Sequence, residues 1–437
     1  MYEQQKVQYS TATKLQRIAW LSERDQNKVF GQLMHHFNEE SLKECFIRLD
    51  GKKAVGIDKV TKEDYAKNLN GNIKKLIAKM KRMAYRPGPV RQTMIPKAGK
   101  GVRPLGISNF EDKIVQKMMQ RVLESIYEPL FTDKSYGFRP NRGCHDAIKA
   151  LITHLYANEV QTVIDVDIKG FFDNIDHKLL EGMLRKKIGD CCLMRYIIRM
   201  FKAGVLSEGE LKIDDRGVPQ GSVCSPILAN IFAHYVIDIW IEEIVKTYCK
   251  GKVEYFRYCD DLVICLQYEE EAEKVRKALG KRLDKYNLSL NEEKTKMVSF
   301  SKQKYRQGIK QKSFDFLGFT FYWGRSRKGL GIPKLKTSGK RKRAKLKAVN
   351  EWARMIRNRY PLKQIWEMFK SKLRGHIQYY GVSFNTRGIQ EFLRQAIRIL
   401  FKWLNRRSQR KSITFDKWNL FLKSNPPSKV RICHNLF

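Results

Sequence analysis

Two short acidic segments carry residues able to do chemistry. In Phe256-Arg257-Tyr258-Cys259-Asp260-Asp261-Leu262-Val263-Ile264, two carboxylates sit inside an otherwise apolar run that reads as a strand, a tight turn and a second strand. Adjacent carboxylates repel each other and destabilise a turn unless a cation joins them. Earlier in the chain, Val163-Ile164-Asp165-Val166-Asp167 is a second strand-like run with two carboxylates of its own. Residues two apart on a strand face the same way, so spacing alone leaves Asp165 and Asp167 equal candidates to face the turn. Two such sites on neighbouring strands form an oxygen-rich cage suited to a pair of Mg²⁺ ions. Paired metals lower the pKa of an attacking hydroxyl and stabilise the charge of in-line phosphoryl transfer. Among enzymes of nucleic acid, that chemistry belongs to polymerases and nucleases.

Apolar spacing outlines the elements that must position these segments. Leu15, Ile18, Trp20 and Leu21, then Phe30, Leu33, Met34 and Phe37, predict two helices between residues 13 and 50, and Leu69 to Tyr85 a third that stops before Pro87 and Pro89. Val90 to Ile95 and Arg103 to Ile107 read as a hairpin whose turn sets glycines between Lys97 and Lys100, a basic finger. Helices are expected over 112–130, 143–157, 176–186, 190–203 and 269–286, with a long amphipathic helix from Pro226 to Val245 and strands from Phe314 to Trp323. From Lys334 onward the chain reads as helical and basic. These elements predict an α+β centre followed by a helical region.

The chain has 437 residues, enough for two to four domains. Lys plus Arg number 86 against 45 Asp plus Glu, a net charge of +41. The excess is uneven, since Ser301 to Phe437 holds 35 basic and 5 acidic residues while the first 300 hold 51 and 40. Such self-repulsion over a whole C-terminal region calls for a polyanionic partner. Nine cysteines without a C-x-x-C pair and eight histidines without H-x-x-x-H predict reduced thiols and no zinc site. The first residues lack the apolar core of a signal peptide, and the most apolar stretch, Ile227 to Val245, is interrupted by Asn230, His234 and Asp238. A cytoplasmic protein with no membrane partner is therefore expected.

From about Leu21 to its end the chain resembles the reverse transcriptase/maturase proteins encoded by group II introns, of the bacterial type. Ala54-Val55-Gly56-Ile57-Asp58 is similar to the family's N-terminal block, and Ile95-Pro96-Lys97 with Arg103-Pro104-Leu105-Gly106-Ile107 to its fingers hairpin. In the expected order follow Ser135-Tyr136-Gly137-Phe138-Arg139-Pro140-Asn141-Arg142, Asp167-Ile168-Lys169-Gly170-Phe171-Phe172-Asp173-Asn174-Ile175 and Pro219-Gln220-Gly221. Tyr258-Cys259-Asp260-Asp261, Asn291-Glu292-Glu293-Lys294-Thr295 and Phe316-Leu317-Gly318-Phe319 complete the series.

The resemblance implies a right-hand polymerase, with an N-terminal extension and fingers over 1–160, an α+β palm over 161–325 and an all-helical thumb or maturase domain over 326–437. It implies RNA-directed DNA synthesis on two Mg²⁺ held by Asp167, Asp260 and Asp261, with Asp165 a neighbour in the network. Lys97 and Arg103 would grip the triphosphate of a dNTP, and Phe172 would close the sugar pocket, with Phe171 the competing choice. Gln220 would line the nucleotide and template, and Lys294 would serve the leaving pyrophosphate. Lys340, Arg341, Lys342, Arg343, Arg406 and Arg407 fall in the region that holds intron RNA and the template–primer duplex, beside Arg374-Gly375-His376-Ile377-Gln378-Tyr379-Tyr380-Gly381. Target DNA is a further implied partner, and the oligomeric state is left open. Rivals are a reverse transcriptase recruited for repair or phage defence, and an RNA-binding splicing factor that has no use for the carboxylates. The chain departs from the family pattern at Cys259, where Ala is usual, and at Ser222, where Gly is usual. No Cys- and His-bearing endonuclease domain is expected after Phe437.

Overall fold

A computed structural model describes residues 10–96, 101–207, 210–218, 221–407 and 413–436, with Arg103 described by its backbone alone. The chain begins with α1 (Thr11–Arg24), α2 (Glu39–Arg48), α3 (Lys62–Ala66) and α4 (Leu69–Lys81). The Ser10 hydroxyl and the Asn38 side chain cap α1 and α2, and a reciprocal Thr61–Asp64 capping box starts α3. Next come β1 (Val90–Pro96), β2 (Val102–Ile107), α5 (Phe110–Tyr127), α6 (Cys144–Ala157) and β3 (Thr162–Val166). They are followed by α7 (His177–Arg185), α8 (Cys191–Phe201), β4 (Val205–Ser207), β5 (Glu210–Lys212), α9 (Ser225–Ala233) and α10 (Lys246–Tyr248). The rest comprises β6 (Val253–Tyr258), β7 (Asp261–Leu266), α11 (Glu269–Asp284), β8 (Lys296–Ser299), α12 (Lys302–Arg306), β9 (Phe314–Phe316), β10 (Phe319–Arg325) and β11 (Gly331–Thr337). Four helices close the chain: α13 (Gly339–Ile356), α14 (Leu362–Tyr380), α15 (Thr386–Leu404) and α16 (Phe415–Ser424).

The described residues divide into two compact units, each drawn from separate stretches of chain. The first takes in the described parts of Met1–Gly143, Val166–Leu262 and Glu273–Thr295. Its central helix is α5, which buries Ile114, Val115, Met118, Met119, Val122 and Leu123 and packs on α1, α2 and α9. Its sheet has the order β2-β1-β4-β5, with β1 antiparallel to β2 and parallel to β4. The second unit takes in Cys144–Asp165, Val263–Ala272 and the described parts of Lys296–Phe437. There β7, β3 and β8 lie side by side in that order, and β11-β10-β9 forms a separate sheet. Helix α15 buries Ile389, Phe392, Leu393, Ala396, Leu400 and Leu404, the stripe its 3.6-residue period predicts, and packs on α13.

Three elements differ from the sequence expectation. Phe30, Leu33, Met34 and Phe37, read as a helix, lie outside any α-helix: Leu33–His36 is a 3₁₀ turn, and α2 follows only at Glu39. The predicted amphipathic helix over 226–245 is instead α9, continued by π-helical turns at His234–Asp238 and Ile241–Val245. Through Asp238 it is buried almost all round, with Asn230, His234 and Asp238 facing the protein interior, while Glu243 and Ile244 near its end are exposed. The basic stretch after Lys334 begins as a strand, since β11 pairs with β10 from Gly331 to Thr337. Its period of two was masked by charge: Pro333, Leu335 and Thr337 are buried, while Lys334 and Lys336 alternate outward. After Ser338 the named elements are helical. Among the described residues no helix is long and apolar enough to cross a membrane.

Candidate active site

Strand β6 is buried from Val253 to Arg257 and delivers the chain into the turn at Cys259 and Asp260. Cys259 takes the left-handed conformation at φ +59° and is buried, while Asp261 is exposed. The turn rests on a charge with no access to water: Arg257 and Asp238 both have 0% side-chain exposure. The Arg257 guanidinium donates to Asp238 Oδ1 at 2.7 Å and Oδ2 at 2.5 Å, to Asn230 Oδ1 at 3.1 Å and to the Cys259 carbonyl at 3.0 Å. Burial works against the guanidinium's charge, and the Asp238 carboxylate overcomes that effect and holds the Arg257 pKa above its ordinary value. Burial also drives His234 down to about 4, so it is neutral beside Asp238.

A third stretch locks the turn from the other side. The Arg257 N–H donates to the Lys134 carbonyl and the Tyr136 N–H to the Arg257 carbonyl, both at 2.9 Å. A Cβ at Gly137 would lie 2.5 Å from the Cys259 nitrogen, so only glycine fits there, and Asn230 Nδ2 donates to the Gly137 carbonyl at 2.6 Å. Arg139, two residues after Gly137 in the same motif, serves the fold: it donates to both Glu128 carboxylate oxygens and to the Thr132 and Ser135 carbonyls.

Asp167 follows the last residue of β3. Its N–H donates to Thr295 Oγ1 at 3.2 Å and its carbonyl accepts the Asn291 N–H at 2.8 Å. At the other end of the strand, the Gln161 N–H donates to the Leu266 carbonyl at 3.0 Å. β3 runs onward from there while β7 has run up to it, so only the antiparallel direction lets the neighbours overlap. The end of β3 that Asp167 follows therefore lies toward the start of β7 at Asp261. Asp165 pairs in the ladder with Lys296 of β8. Lys294 Nζ lies 3.8 Å from Asp167 Oδ1. Among the described residues no group of three or more His, Cys, Asp or Glu side chains is gathered closely enough to hold a metal ion. The donors at Asp167, Asp260 and Asp261 are nonetheless all carboxylate oxygen, the kind Mg²⁺ takes.

Gly170, at φ +50°, turns the chain from β3 into a 3₁₀ turn at Phe171–Asn174. Phe171 is 2% exposed and packs edge-on to Phe232, whereas Phe172 is only half-buried. The Phe172 carbonyl accepts the Val218 N–H at 2.9 Å, which joins this turn to the segment entering Pro219-Gln220-Gly221. Gly221 has φ +107°, and a Cβ there would lie 2.6 Å from the Gly106 carbonyl of β2, so the loop leaves against the hairpin backbone. Arg103 stands opposite Ile95 in that hairpin. Lys97 and Gln220 lie outside the described residues, as does the Arg103 side chain.

In the second unit, Lys340, Arg341 and Arg343 are exposed and Lys342 half-buried on the first turns of α13. A helix N-terminus repels cations, so this run favours an external anion. Arg406 is exposed over the Trp403 ring at 5.3 Å. Arg407 donates to the Arg357 and Tyr360 carbonyls and so ties down the end of α13.

Residues 95–321 match the family model described as Reverse transcriptase (RNA-dependent DNA polymerase). Over 163 residues the chain is 44% identical to the group II intron-encoded protein LtrA of Lactococcus lactis subsp. cremoris, covering 37% of this chain and 27% of the relative. Over 172 residues it is 42% identical to a 91 kDa protein in the cob intron of Schizosaccharomyces pombe, covering 39% and 21%. Protein YkfC of Escherichia coli K12 is 31% identical over 312 residues, covering 64% of this chain and 78% of the relative. The match thus spans about a quarter of the length of the first two relatives and more than three quarters of the third.

Removing Asp238 leaves the Arg257 charge buried and unpaired, which costs about 3–5 kcal/mol. Asp238→Ala is expected to lower the thermal midpoint of the chain, and the Asp238→Leu/Arg257→Met pair to lower it less than either single change. A double-mutant cycle checks this, and additive losses would show that the two side chains do not act as a pair.

Proposed function

The chain belongs to the reverse transcriptase (RNA-dependent DNA polymerase) family, and from that premise we propose that it copies RNA into DNA at Asp167, Asp260 and Asp261. Its RNA is the group II intron that encodes it, whose splicing and mobility it assists by binding the folded ribozyme. One observation supports the reading: inside the matched region, β3, which Asp167 follows, lies beside β7, which begins at Asp261.

In this reading the three carboxylates would hold two Mg²⁺, which when bound lower the pKa of the primer 3′-hydroxyl and neutralise charge on the transferring phosphoryl. The hydroxyl attacks the α-phosphate of a dNTP and pyrophosphate leaves. Lys97 and Arg103 grip the triphosphate, and Gln220 lines the nucleotide and template. Lys294 stands beside Asp167, where it supplies a proton to the leaving group. Phe172 forms the wall under the sugar, since Phe171 is occupied in the core. Fingers occupy 1–160, palm 161–325 and thumb 326–437. The thumb cations, Lys340 to Arg343 with Arg406 and Arg407, hold intron RNA and the template–primer duplex, and target DNA is engaged during mobility.

Asp167→Ala or Asp260→Ala is expected to abolish primer extension on an RNA template while RNA affinity by filter binding stays near wild type, because these carboxylates hold metal rather than phosphate. Extension at the wild-type rate by either variant would reject the site. Phe172→Ala is expected to raise ribonucleotide over deoxynucleotide kcat/KM, because the ring no longer overlaps a 2′-hydroxyl. A shift in Phe171→Ala but not in Phe172→Ala would move the gate to the other ring. Replacing Lys340, Arg341, Lys342 and Arg343 together with Ala is expected to flatten the slope of log affinity against log salt by roughly 0.7–0.9 for each phosphate these side chains neutralise. An unchanged slope in a salt titration would leave the run a solvated face.

A further inference from the structure

The segment Pro427–Arg431 of the second unit borders two clefts, one edged by cations and the other by aromatic rings. One, of about 690 Å³, is lined by Arg374, Gly375 and Gln378 of α14 and by Ser428, Lys429 and Arg431. The other, of about 530 Å³, lies along α15 and α16 and is lined by Ile397, Phe401, Phe415 and Trp418, with Arg398 and Lys429 at its rim. Ser428 and Lys429 border both. Each volume falls in the range of ligand sites.

The first cleft carries three cations. Arg374, Lys429 and Arg431 are exposed, and among the described residues none of them makes an ion pair. Its floor is Gly375, an interior residue of α14 at which a Cβ would meet nothing within 4 Å. Packing therefore does not require this helix-weakening residue, and its effect is to leave the floor bare. The apolar cleft presents aromatic rings. Phe401 stacks on the buried Trp418 at 5.6 Å, and Phe415 packs edge-on to Phe401 at 5.9 Å yet stays 63% exposed. A phosphate beside a flat apolar ring is the chemistry of one nucleotide. Only an unpaired nucleotide can offer its base face, because a duplex hides it in the stack. The charge of the surrounding chain, 35 basic against 5 acidic residues from Ser301 onward, favours a polyphosphate over an acidic peptide.

We propose that these adjoining clefts receive a single unpaired nucleotide of a structured RNA, its phosphate against Arg374, Lys429 and Arg431 and its base against Phe401 and Phe415. The site rests on the reading of the chain as an RNA-binding protein and goes beyond it by requiring a bulged or looped-out residue.

Fluorescence anisotropy on the full chain tests this with three RNAs: a paired hairpin, the same hairpin with one bulged nucleotide, and the hairpin with an abasic bulge. The wild-type chain should bind the bulged RNA about tenfold more tightly than the paired one, the gain expected of one stacked base. Phe415→Ala should make bulged and abasic RNAs equal. Gly375→Glu, which adds a carboxylate to the polar floor, should reduce the bulged-to-paired ratio further, and Arg431→Ala, in the irregular segment, repeats that test should Gly375→Glu melt early. Wild-type binding with no bulge preference, or a preference untouched in these folded variants, overturns this site alone. Loss of an acidic aromatic peptide's binding in Phe415→Ala, without any bulge preference, assigns the clefts to a protein partner and overturns it as well. Failure of the wild-type chain to bind all three RNAs overturns the RNA-binding reading itself.

Discussion

The buried Arg257–Asp238 pair is the constraint around which the candidate active site is arranged. A guanidinium at zero exposure is tolerable only if nearly all its N–H groups find acceptors, and four do: two on Asp238, one on Asn230 and one on the Cys259 carbonyl. That last bond fixes the carbonyl at the apex of the turn, where a non-glycine residue sits in the left-handed region. The partners must then arrive from α9 and the π-helical turn after it, which accounts for a wide-turned, largely buried helix where an amphipathic one would otherwise serve. Gly137 follows from the same arrangement, because its backbone approaches the turn more closely than any side chain allows.

Above that fixed base the charges are more mobile. Lys294 and Asp167 are 66% and 42% exposed, and an ion pair so open to water contributes at most about 1 kcal/mol. A divalent cation would therefore displace Lys294 from the carboxylate at little expense. The contrast with Arg257 is the point: one cation is locked in to shape the turn, and the other is held loosely enough to exchange. Cys259, between them, keeps its thiol protonated, because burial and then the neighbouring Asp260 push its pKa up. It fills space under the turn and adds no charge.

Much of this was legible from residue types. Alternating apolar runs marked β3, β6 and β7, and the doubled carboxylates marked their ends. The harder distinctions needed neighbours. Asp165 and Asp167 share a strand face by spacing, and only the ladder separates them, Asp165 level with Lys296 and Asp167 past the end of the strand. Phe171 and Phe172 are identical as letters, but one is core and the other is not. The polar residues at 230, 234 and 238 read as interruptions of an apolar stretch. Asn230 and Asp238, two helical turns apart in a buried helix, in fact meet the same interior partner. That partner, Arg257, lay unremarked beside the carboxylates it supports. In the C-terminal region, Tyr380 and Trp418 are core residues, as the amphipathic helices require, while Tyr360, Phe384 and, most of all, Phe415 are exposed.

The two electrostatic tasks of such a protein pull in opposite directions. A polyphosphate needs a wide positive field, and a metal-dependent site needs a small negative one that RNA phosphates would avoid. The sequence separates them along the chain, with the acidic turn ahead of Ser301 and the steepest basic excess behind it. The range of each field completes the separation. Exposed lysines and arginines act over about 8–10 Å before salt screens them. The carboxylates act at bonding distance, where screening has little hold. Attraction of a polyanion therefore depends on the ionic medium, while the geometry of the turn depends on a buried pair that the medium does not reach.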